Sequence, residues 1–228
     1  MLTKIGENIH VAEGPPICGA VGFHYPTRMI VITLPDGGLF LWSPVELNDG
    51  LKTVVDALGP VSYLIAPNTL HHMHIGDWKA ANPDARLIGP AELVDKRPDL
   101  SFDGVLEDPP AGWANAIDQV VIDGNRIMTE VVFFHRESGT VIFTDLIQQM
   151  PRGWYTGWRA IVARLDLMTA PRPEVPRKFR AAFRDRKAAK AQIQRIMDWP
   201  VETIVMAHGP VVTRDAKREL QRMYQWLL

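Results

Sequence analysis

The stretch Leu64 to Trp78 most constrains the fold, because an apolar run there breaks at a proline and is followed by three histidines within four positions. His71, His72 and His74 are three of the seven histidines of the chain. A buried strand over 61 to 66 that runs into a polar loop would produce this order of residues. We therefore expect the three imidazoles to lie where a strand ends.

Three further residues of the same chemical types also end apolar runs. They are His135, Asp145 and His208, which follow the runs that begin at 130, 141 and 203. Side chains that leave the ends of several buried strands converge on one edge of a sheet, and a set of imidazoles with a carboxylate suits a transition metal. The residues thus predict a metal site. The competing interpretation is a pocket whose histidines only cap a helix or hydrogen-bond the strand ends.

Composition bounds the class of protein. With 228 residues, 46% of them apolar and 22% charged, the chain can bury a sizeable core, and we expect one domain over 1–228. The formal net charge of -1 gives no global attraction to nucleic acid or anionic lipid. The single cysteine, Cys18, excludes an intramolecular disulfide and fits a reducing compartment, and no signal peptide or membrane span is visible. The expected compartment is the cytoplasm.

Local patterns outline the elements around these strand ends. Ser43 is predicted to cap a helix that has Pro44 at its first position and stops at Gly59. A short helix is expected to begin near His71, and a long one to cover about 177 to 198. Residues 146 to 176 read as irregular. The strands come in two batches, each followed by helix, which favours sheet packed on sheet with helices outside.

In this order the residues resemble the metallo-β-lactamase superfamily. The matching segments are His135-Arg-Glu-Ser-Gly-Thr, Phe143-Thr-Asp145 and Ala207-His-Gly209, which are similar to three later motifs of that superfamily. The resemblance covers nearly the whole chain. It implies an α/β protein with a four-layer αββα sandwich of two mixed sheets, and one or two metal ions that activate a water for hydrolysis.

The superfamily's first motif, His-x-His-x-Asp-His, fits this chain in two registers, and it is degenerate in both. If the strand end is aligned, the motif covers 67 to 72, and His71 and His72 take its last two positions. If the His-x-His pair is aligned instead, it falls on His72 and His74. We prefer the first register, because Ala66 then directly precedes the motif, as the strand end does in the superfamily.

The resemblance implies a set of site residues. In the preferred register the metal ligands are His71, His72, His135, Asp145 and His208, and the second register adds His74. Such a set suits Zn²⁺, with Fe or Mn also compatible, as one or two ions, or none if the site is degenerate. Asp145 or Asp77 would orient the attacking water. His135, if it is not a ligand, would act as a general acid or donate to an oxyanion.

Two functions from different classes follow from this set. The first is a metal-dependent hydrolase that acts on a small ester, thioester, lactone or phosphoester. The second is a catalytically degenerate member that keeps the fold and binds a ligand or a partner. The metal content of the purified protein separates the two classes.

Two segments outside the predicted site carry further expectations. Between Arg172 and Arg195 there are nine basic and two acidic residues, which we interpret as a solvated helix face and not as a nucleic-acid site. The aromatic residues between Arg152 and Arg159 predict either a lid over the substrate or packing of Trp on the sheet. The expected partner is a small-molecule substrate, with no specific nucleic acid and no membrane; a homo-oligomer is left open.

Overall fold

A computed structural model describes residues 1–106 and 112–228 of the chain. Within these ranges eleven strands form two mixed sheets, of seven and four strands, and seven α-helices accompany them. The prediction of two mixed sheets with helices is confirmed. No helix in these two ranges is long and apolar enough to cross a bilayer.

The first sheet contains seven strands in the order in which they occur along the chain. They are β1 Leu2–Gly6, β2 Ile9–Cys18, β3 His24–Thr33, β4 Leu39–Trp42, β5 Val61–Ile65, β6 Arg86–Gly89 and β7 Gly104–Val105. β1 and β2 are antiparallel, as are β3 and β4, whereas β4 to β7 are parallel neighbours. Parallel neighbours need crossover connections, which here contain α1 Asp49–Asp56, α2 Ile75–Ala81 and α3 Ala91–Lys96.

The second sheet has the order β11-β10-β9-β8. Its strands are β8 Ile117–Ile122, β9 Glu130–His135, β10 Thr140–Gln148 and β11 Thr203–His208. β10 is antiparallel to β9 and parallel to β11. Four helices lie between or after these last two strands: α4 Gly157–Leu165, α5 Arg177–Ala182, α6 Arg186–Met197 and α7 Ala216–Tyr224.

The chain groups into two compact units, and each has an apolar core of its own. The first unit comprises 1–15, 27–118 and 136–138, and the second comprises 16–26, 119–135 and 139–228. The core of the first includes Leu41, Leu64 and Trp78. The core of the second includes Phe143, Ile193 and Tyr224, which are also fully buried. A single domain over 1–228 stays a prediction.

The predicted start of the first helix was wrong. Asn48, and not Ser43, caps α1: its side chain accepts a hydrogen bond from the backbone N–H of Leu51 at 2.9 Å. Ser43 instead has a left-handed backbone with φ of 49°, which is uncommon for a residue with a β-carbon. The helix also ends at Asp56, before Gly59. The capping signature at Ser43 failed because its hydroxyl is used elsewhere, as described below.

The second helix begins later than the sequence indicated. α2 starts at Ile75 and not near His71. The side-chain oxygen of Asn68 accepts hydrogen bonds from the backbone N–H groups of Leu70 and His71, at 2.9 and 2.8 Å. Because this turn satisfies the backbone locally, it holds His71 in a loop and outside the helix.

The long helix predicted over about 177 to 198 is two helices, α5 and α6. They are separated because Asp185 caps the second one. Its carboxylate accepts from the backbone N–H groups of Lys187 and Ala188, both at 2.9 Å. An aspartate that caps a helix in this way cannot continue the preceding one.

Helix α4 lies in the segment that the sequence suggested was irregular, and its two faces are reversed. Ala163 is buried in a small cluster that includes Phe23, Met150 and Tyr155. The larger apolar side chains point outward: Trp158, Ile161, Val162 and Leu165 are exposed by 50%, 63%, 42% and 60%. A normal amphipathic helix buries its large apolar residues. The reversal explains why periodicity did not predict this helix as a packed element.

Candidate metal centre

The last strand pair of the second sheet contains a bulge beside Asp145. β10 pairs in register with β11 as far as Phe143 opposite Met206, and the next pair is Gln148 opposite His208. β10 therefore has four residues, 144 to 147, where β11 has one. A bulge of this kind leaves backbone N–H groups without partners in the ladder and re-aims a side chain.

Glu130 satisfies the backbone of this bulge. Its carboxylate accepts hydrogen bonds from the backbone N–H groups of Thr144, Asp145 and Leu146, at 2.8, 2.8 and 3.0 Å. The side chain is fully buried at the start of β9. Burial, and then the charge of Asp145, raise the pKa of Glu130 to about 7, although its hydrogen bonds with Thr144 act in the opposite direction. Glu130 thus fixes the backbone that carries Asp145.

Sequence reasoning missed Glu130 as a functional residue. In the local pattern it is only the first residue of the apolar run that leads to His135. The available signal was a carboxylate at the start of a strand whose next four residues are all large and apolar. A buried charge needs partners, so its presence there indicates a specific acceptor role.

His208 and Asp145 face each other across the end of β11. Nδ1 of His208 lies 2.7 Å from the carbonyl oxygen of Pro26, and because a carbonyl only accepts, Nδ1 carries the proton. The other ring nitrogen, Nε2, lies 3.2 Å from Oδ1 of Asp145. In a neutral ring Nε2 would be a second acceptor facing a carboxylate. Either a proton shared by the two atoms or a metal ion is therefore needed to hold this pair together.

Gln148 adds an unsatisfied acceptor beside this pair. Its side-chain nitrogen donates to Oδ1 of Asp145 at 3.3 Å. Its side-chain oxygen is buried and has no hydrogen-bond partner in the part of the chain that the structure describes. A buried acceptor without a donor costs free energy unless a bound group supplies the hydrogen. The arrangement is thus suited to a water or ligand held next to Asp145.

The immediate surroundings of His208 restrict its movement. The ring of Tyr25 lies 5.2 Å from the imidazole, and burial and the charge of Asp145 raise the pKa of Tyr25 to about 12. Tyr25 is therefore neutral at physiological pH. Gly209 follows His208 because a β-carbon there would lie 2.6 Å from the sulfur of Met206 and 3.1 Å from the backbone nitrogen of Gln149. The His-Gly pair thus reflects close packing after the strand end.

The other unit orients His71 through Ser43. The hydroxyl of Ser43 lies 2.8 Å from Nδ1 of His71, and the backbone N–H of Ser43 donates to the carbonyl of Ile65 at 2.9 Å. The Asn68 turn fixes the backbone of His71 from the other side. These contacts explain both the strained backbone of Ser43 and the loop position of His71.

His72 is engaged with Arg97. A guanidinium nitrogen of Arg97 lies 3.0 Å from Nδ1 of His72, and because guanidinium only donates, Nδ1 is the acceptor. Burial, and then the charges of Lys96 and Arg97, lower the pKa of His72 to about 4. His72 is therefore neutral near pH 7, and one of its two ring nitrogens already has a partner.

Two of the predicted residues lie together in the second unit: Nε2 of His208 and Oδ1 of Asp145 are 3.2 Å apart. His71 is oriented within the first unit by Ser43. The other candidates have different surroundings. His135 is buried at the end of β9 opposite Thr140. Because β9 is antiparallel to β10 and β11 is parallel to it, His135 lies at the opposite end of the sheet from Asp145 and His208, and the expected convergence on one edge was wrong for this residue. His74 immediately precedes α2, and Asp77 is exposed in the first turn of that helix. Ligation by any of the predicted residues stays a prediction.

Known structures share the fold over nearly the whole chain. The metallo-β-lactamase from Pontibacter korlensis matches with a TM-score of 0.63 and 13% identity over 99% of this chain and 98% of its own. The mono-zinc form of the metallo-β-lactamase FIM-1 from Pseudomonas aeruginosa matches with a TM-score of 0.62 and 13% identity, over 99% and 95%. The metal-soaked Flv1 flavodiiron core from Synechocystis sp. PCC6803 has a TM-score of 0.66 and 15% identity, over 100% of this chain and 60% of that one.

At these identities the likeness establishes the fold. It is the metallo-β-lactamase αββα fold, and both the predicted fold class and the resemblance to this superfamily are confirmed. The degenerate first motif stays a prediction. By sequence, the model of the family described as Domain of unknown function (DUF4336) matches residues 17–156. No curated protein matches the sequence.

Proposed function

We propose, on the premise that this chain belongs to the family described as Domain of unknown function (DUF4336) and has the metallo-β-lactamase fold, that it is a metal-dependent hydrolase of small molecules. The proposed ligands are Asp145 and His208, together with His71, which the resemblance to the superfamily implies as a further ligand. The observation that carries the proposal is the position of His208 Nε2, 3.2 Å from the Asp145 carboxylate, in a ring whose proton is held on Nδ1 by the Pro26 carbonyl.

The chemistry of the donor set fits a divalent ion. A metal-binding histidine usually donates its other ring N–H to a carbonyl or carboxylate, as His208 does to Pro26. His71 has a similar partner in the Ser43 hydroxyl. Two imidazoles and a carboxylate suit zinc in hydrolytic sites, and they also suit iron and manganese. We propose zinc.

When bound, the ion supplies Lewis acidity that activates a water for attack on an acyl or phosphoryl group. The residues of the chain have separate tasks around it. Glu130 holds the bulge so that Asp145 keeps its position. The side-chain oxygen of Gln148 accepts a hydrogen from the attacking water and so orients it. We propose an ester, thioester, lactone or phosphoester as the scissile bond.

The same proposal covers partners and compartment. The substrate is a small molecule and not a nucleic acid, and this is supported by the ion pairs that occupy part of the basic segment: Arg180 binds Glu174 at 2.7 Å, and Arg172 binds Glu219. We propose the cytoplasm as the compartment, on the basis of the single unpaired cysteine, Cys18.

The test is the metal content of protein purified without chelator, measured by mass spectrometry together with hydrolysis of an ester, a thioester, a lactone and a phosphodiester. We expect bound zinc, loss of hydrolysis on chelation and recovery when zinc is added. His208→Ala should lose the metal, whereas His74→Ala should retain it. Wild-type protein that neither contains nor takes up a metal ion would contradict the proposal and favour a non-catalytic binding module.

A further inference from the structure

A cavity of about 610 Å³ lies beside helix α4 in the second unit. Its lining residues are Arg152, Gly153, Tyr155, Ala160, Arg164, Leu167, Thr169, Ala170 and Pro171. This volume is within the range of roughly 300 to 1,000 Å³ that is typical of small-molecule sites. The lining is mainly apolar, and its described residues include two arginines but no acidic residue. We call it the arginine cavity.

The two arginines of this cavity have no anionic partner among the residues that the structure describes. Neither Arg152 nor Arg164 forms a side-chain hydrogen bond or an ion pair with the described part of the protein. The next acidic residue along the chain, Asp166, pairs instead with Lys178 at 3.1 Å. The cavity therefore combines two guanidinium groups with apolar walls, and that combination recognises an anion attached to an apolar group.

The backbone of Leu167 gives an independent indication that the wall of this cavity is specific. Leu167 has a φ of 68°, in the position after α4 where glycine is usually found. A left-handed backbone is unfavourable for a bulky residue. The strained conformation places the leucine among the lining residues, where glycine would leave the wall incomplete.

Two hydrogen-bonded connections join the cavity lining to the candidate metal centre. The backbone N–H of Gln149 donates to the carbonyl of His208 at 2.8 Å, and its side-chain amide donates to the carbonyl of Ala170 at 3.3 Å. On the other side, the hydroxyl of Tyr155 donates to the carbonyl of His24, the residue before Tyr25, whose ring contacts His208. The cavity is thus a neighbour of the centre.

We propose that the arginine cavity binds the anionic end of a small amphiphilic molecule, namely a monophosphate or a carboxylate that carries an apolar group. Arg152 and Arg164 bind the anion, and Leu167 with the alanines contacts the apolar part. The identification of this molecule as the substrate rests on the proposed hydrolase function. The binding itself does not, because none of its residues belongs to the proposed ligand set.

The test is calorimetric titration of the full-length protein with phenyl phosphate, phenylacetate and neutral benzyl alcohol. We expect saturable binding of at least one of the two anions and much weaker binding of the alcohol, and the stronger anion identifies the ligand class. Arg152→Ala and Arg164→Ala should each weaken anion binding by about tenfold, since each removes a charge-assisted hydrogen bond. Arg218→Ala, which removes an exposed arginine of α7 outside the cavity, is the matched control and should have no effect.

Two further variants distinguish anion binding in the cavity from anion binding at the metal centre. Leu167→Gly relieves the strained backbone, so this variant should fold normally. Because the variant lacks the apolar side chain, its binding of phenyl phosphate should weaken more than its binding of inorganic phosphate. His208→Ala should retain anion binding even if it abolishes metal binding. A failure of the hydrolase proposal can therefore be distinguished from a failure of the proposal for the arginine cavity. The inference is overturned if the wild type binds neither anion, if the double arginine variant binds as tightly as the wild type, or if only His208→Ala loses binding.

Discussion

Oε2 of Glu130 accepts a hydrogen bond from the backbone N–H of Asp145 at 2.8 Å. This contact links a residue at the start of β9 to the bulge of β10, and it leaves the Asp145 side chain available for His208 and Gln148. The three hydrogen bonds that Glu130 accepts from this bulge come from main-chain groups, and the Glu130 carboxylate also forms a hydrogen bond with the side chain of Thr144. Glu130 is therefore a positioning residue for Asp145.

Replacing Glu130 tests this role. Glu130→Ala leaves three buried N–H groups without an acceptor, and at about 1 to 3 kcal/mol for each unsatisfied group we expect a loss of about 3 kcal/mol or more in the free energy of unfolding. Glu130→Gln keeps one oxygen acceptor and should lose less. Urea unfolding of metal-free protein measures both. Equal stability of the alanine variant and the wild type would contradict the assignment.

Two substitutions of Ser43 remove the same hydroxyl but differ in how well the new residue tolerates the positive φ at this position. Ser43→Ala and Ser43→Gly both remove the hydroxyl that meets His71, so both should weaken metal binding by about 10 to 100-fold. Glycine adopts a positive φ without strain, so Ser43→Gly should be more stable than Ser43→Ala. Metal competition titrations and thermal unfolding give the two readouts. Unchanged metal affinity in both variants would show that the hydroxyl does not support a ligand.

Alanine substitutions of His71, His72 and His208 should differ in their effect on metal binding. If His71 and His208 are ligands as proposed, His71→Ala and His208→Ala each delete a coordinate bond and should abolish stable metal binding. His72→Ala removes only the partner of Arg97, so the metal affinity of this variant should fall far less. Metal content and competition affinity, with circular dichroism as a check of the fold, compare the three variants. Equal loss in His72→Ala would instead support the ligand set of the preferred sequence register.

The lowered pKa of His72 predicts a specific acid sensitivity. Its ordinary pKa of 6.5 falls to about 4 in the folded protein, so the unfolded chain binds this proton more tightly than the folded one does. The stability contribution is therefore complete above pH 6.5 and is lost as the pH falls towards 4. His72→Gln cannot titrate but can still accept from Arg97, so its free energy of unfolding should decline less across this window. Urea unfolding of both proteins in chelator at several pH values measures this difference. If the wild type and His72→Gln show the same pH dependence of the free energy of unfolding, the titration of His72 is not the cause.

The strand ends were predictable because a buried strand shows itself in its own residues. The apolar runs before His135 and His208 predicted β9 and β11, and a polar residue marked the end of each strand. The local pattern does not give strand direction, so it could not show that these two strands end at opposite ends of the sheet. The order of these motifs was sufficient for the fold class, since it follows from local patterns and chain order alone.

The supporting contacts were not predictable, because they join residues that are distant in sequence. The hydroxyl of Ser43 meets a histidine 28 positions away, and this competes with the helix cap that the local pattern suggested. Arg97 engages His72 over 25 positions. In both cases a partner distant in sequence fixes the position of the side chain, and a local sequence pattern contains no information about such a partner.

The reversed faces of α4 affect how the protein behaves in concentrated salt. Trp158, Ile161, Val162 and Leu165 keep apolar surface in water, where each Å² costs roughly 25 cal/mol. Sulfate and phosphate raise that cost, because they are excluded from protein surfaces. Salting-out should therefore begin at a lower ammonium sulfate concentration than the charged composition suggests, and fractionation with this salt is a natural first step of purification.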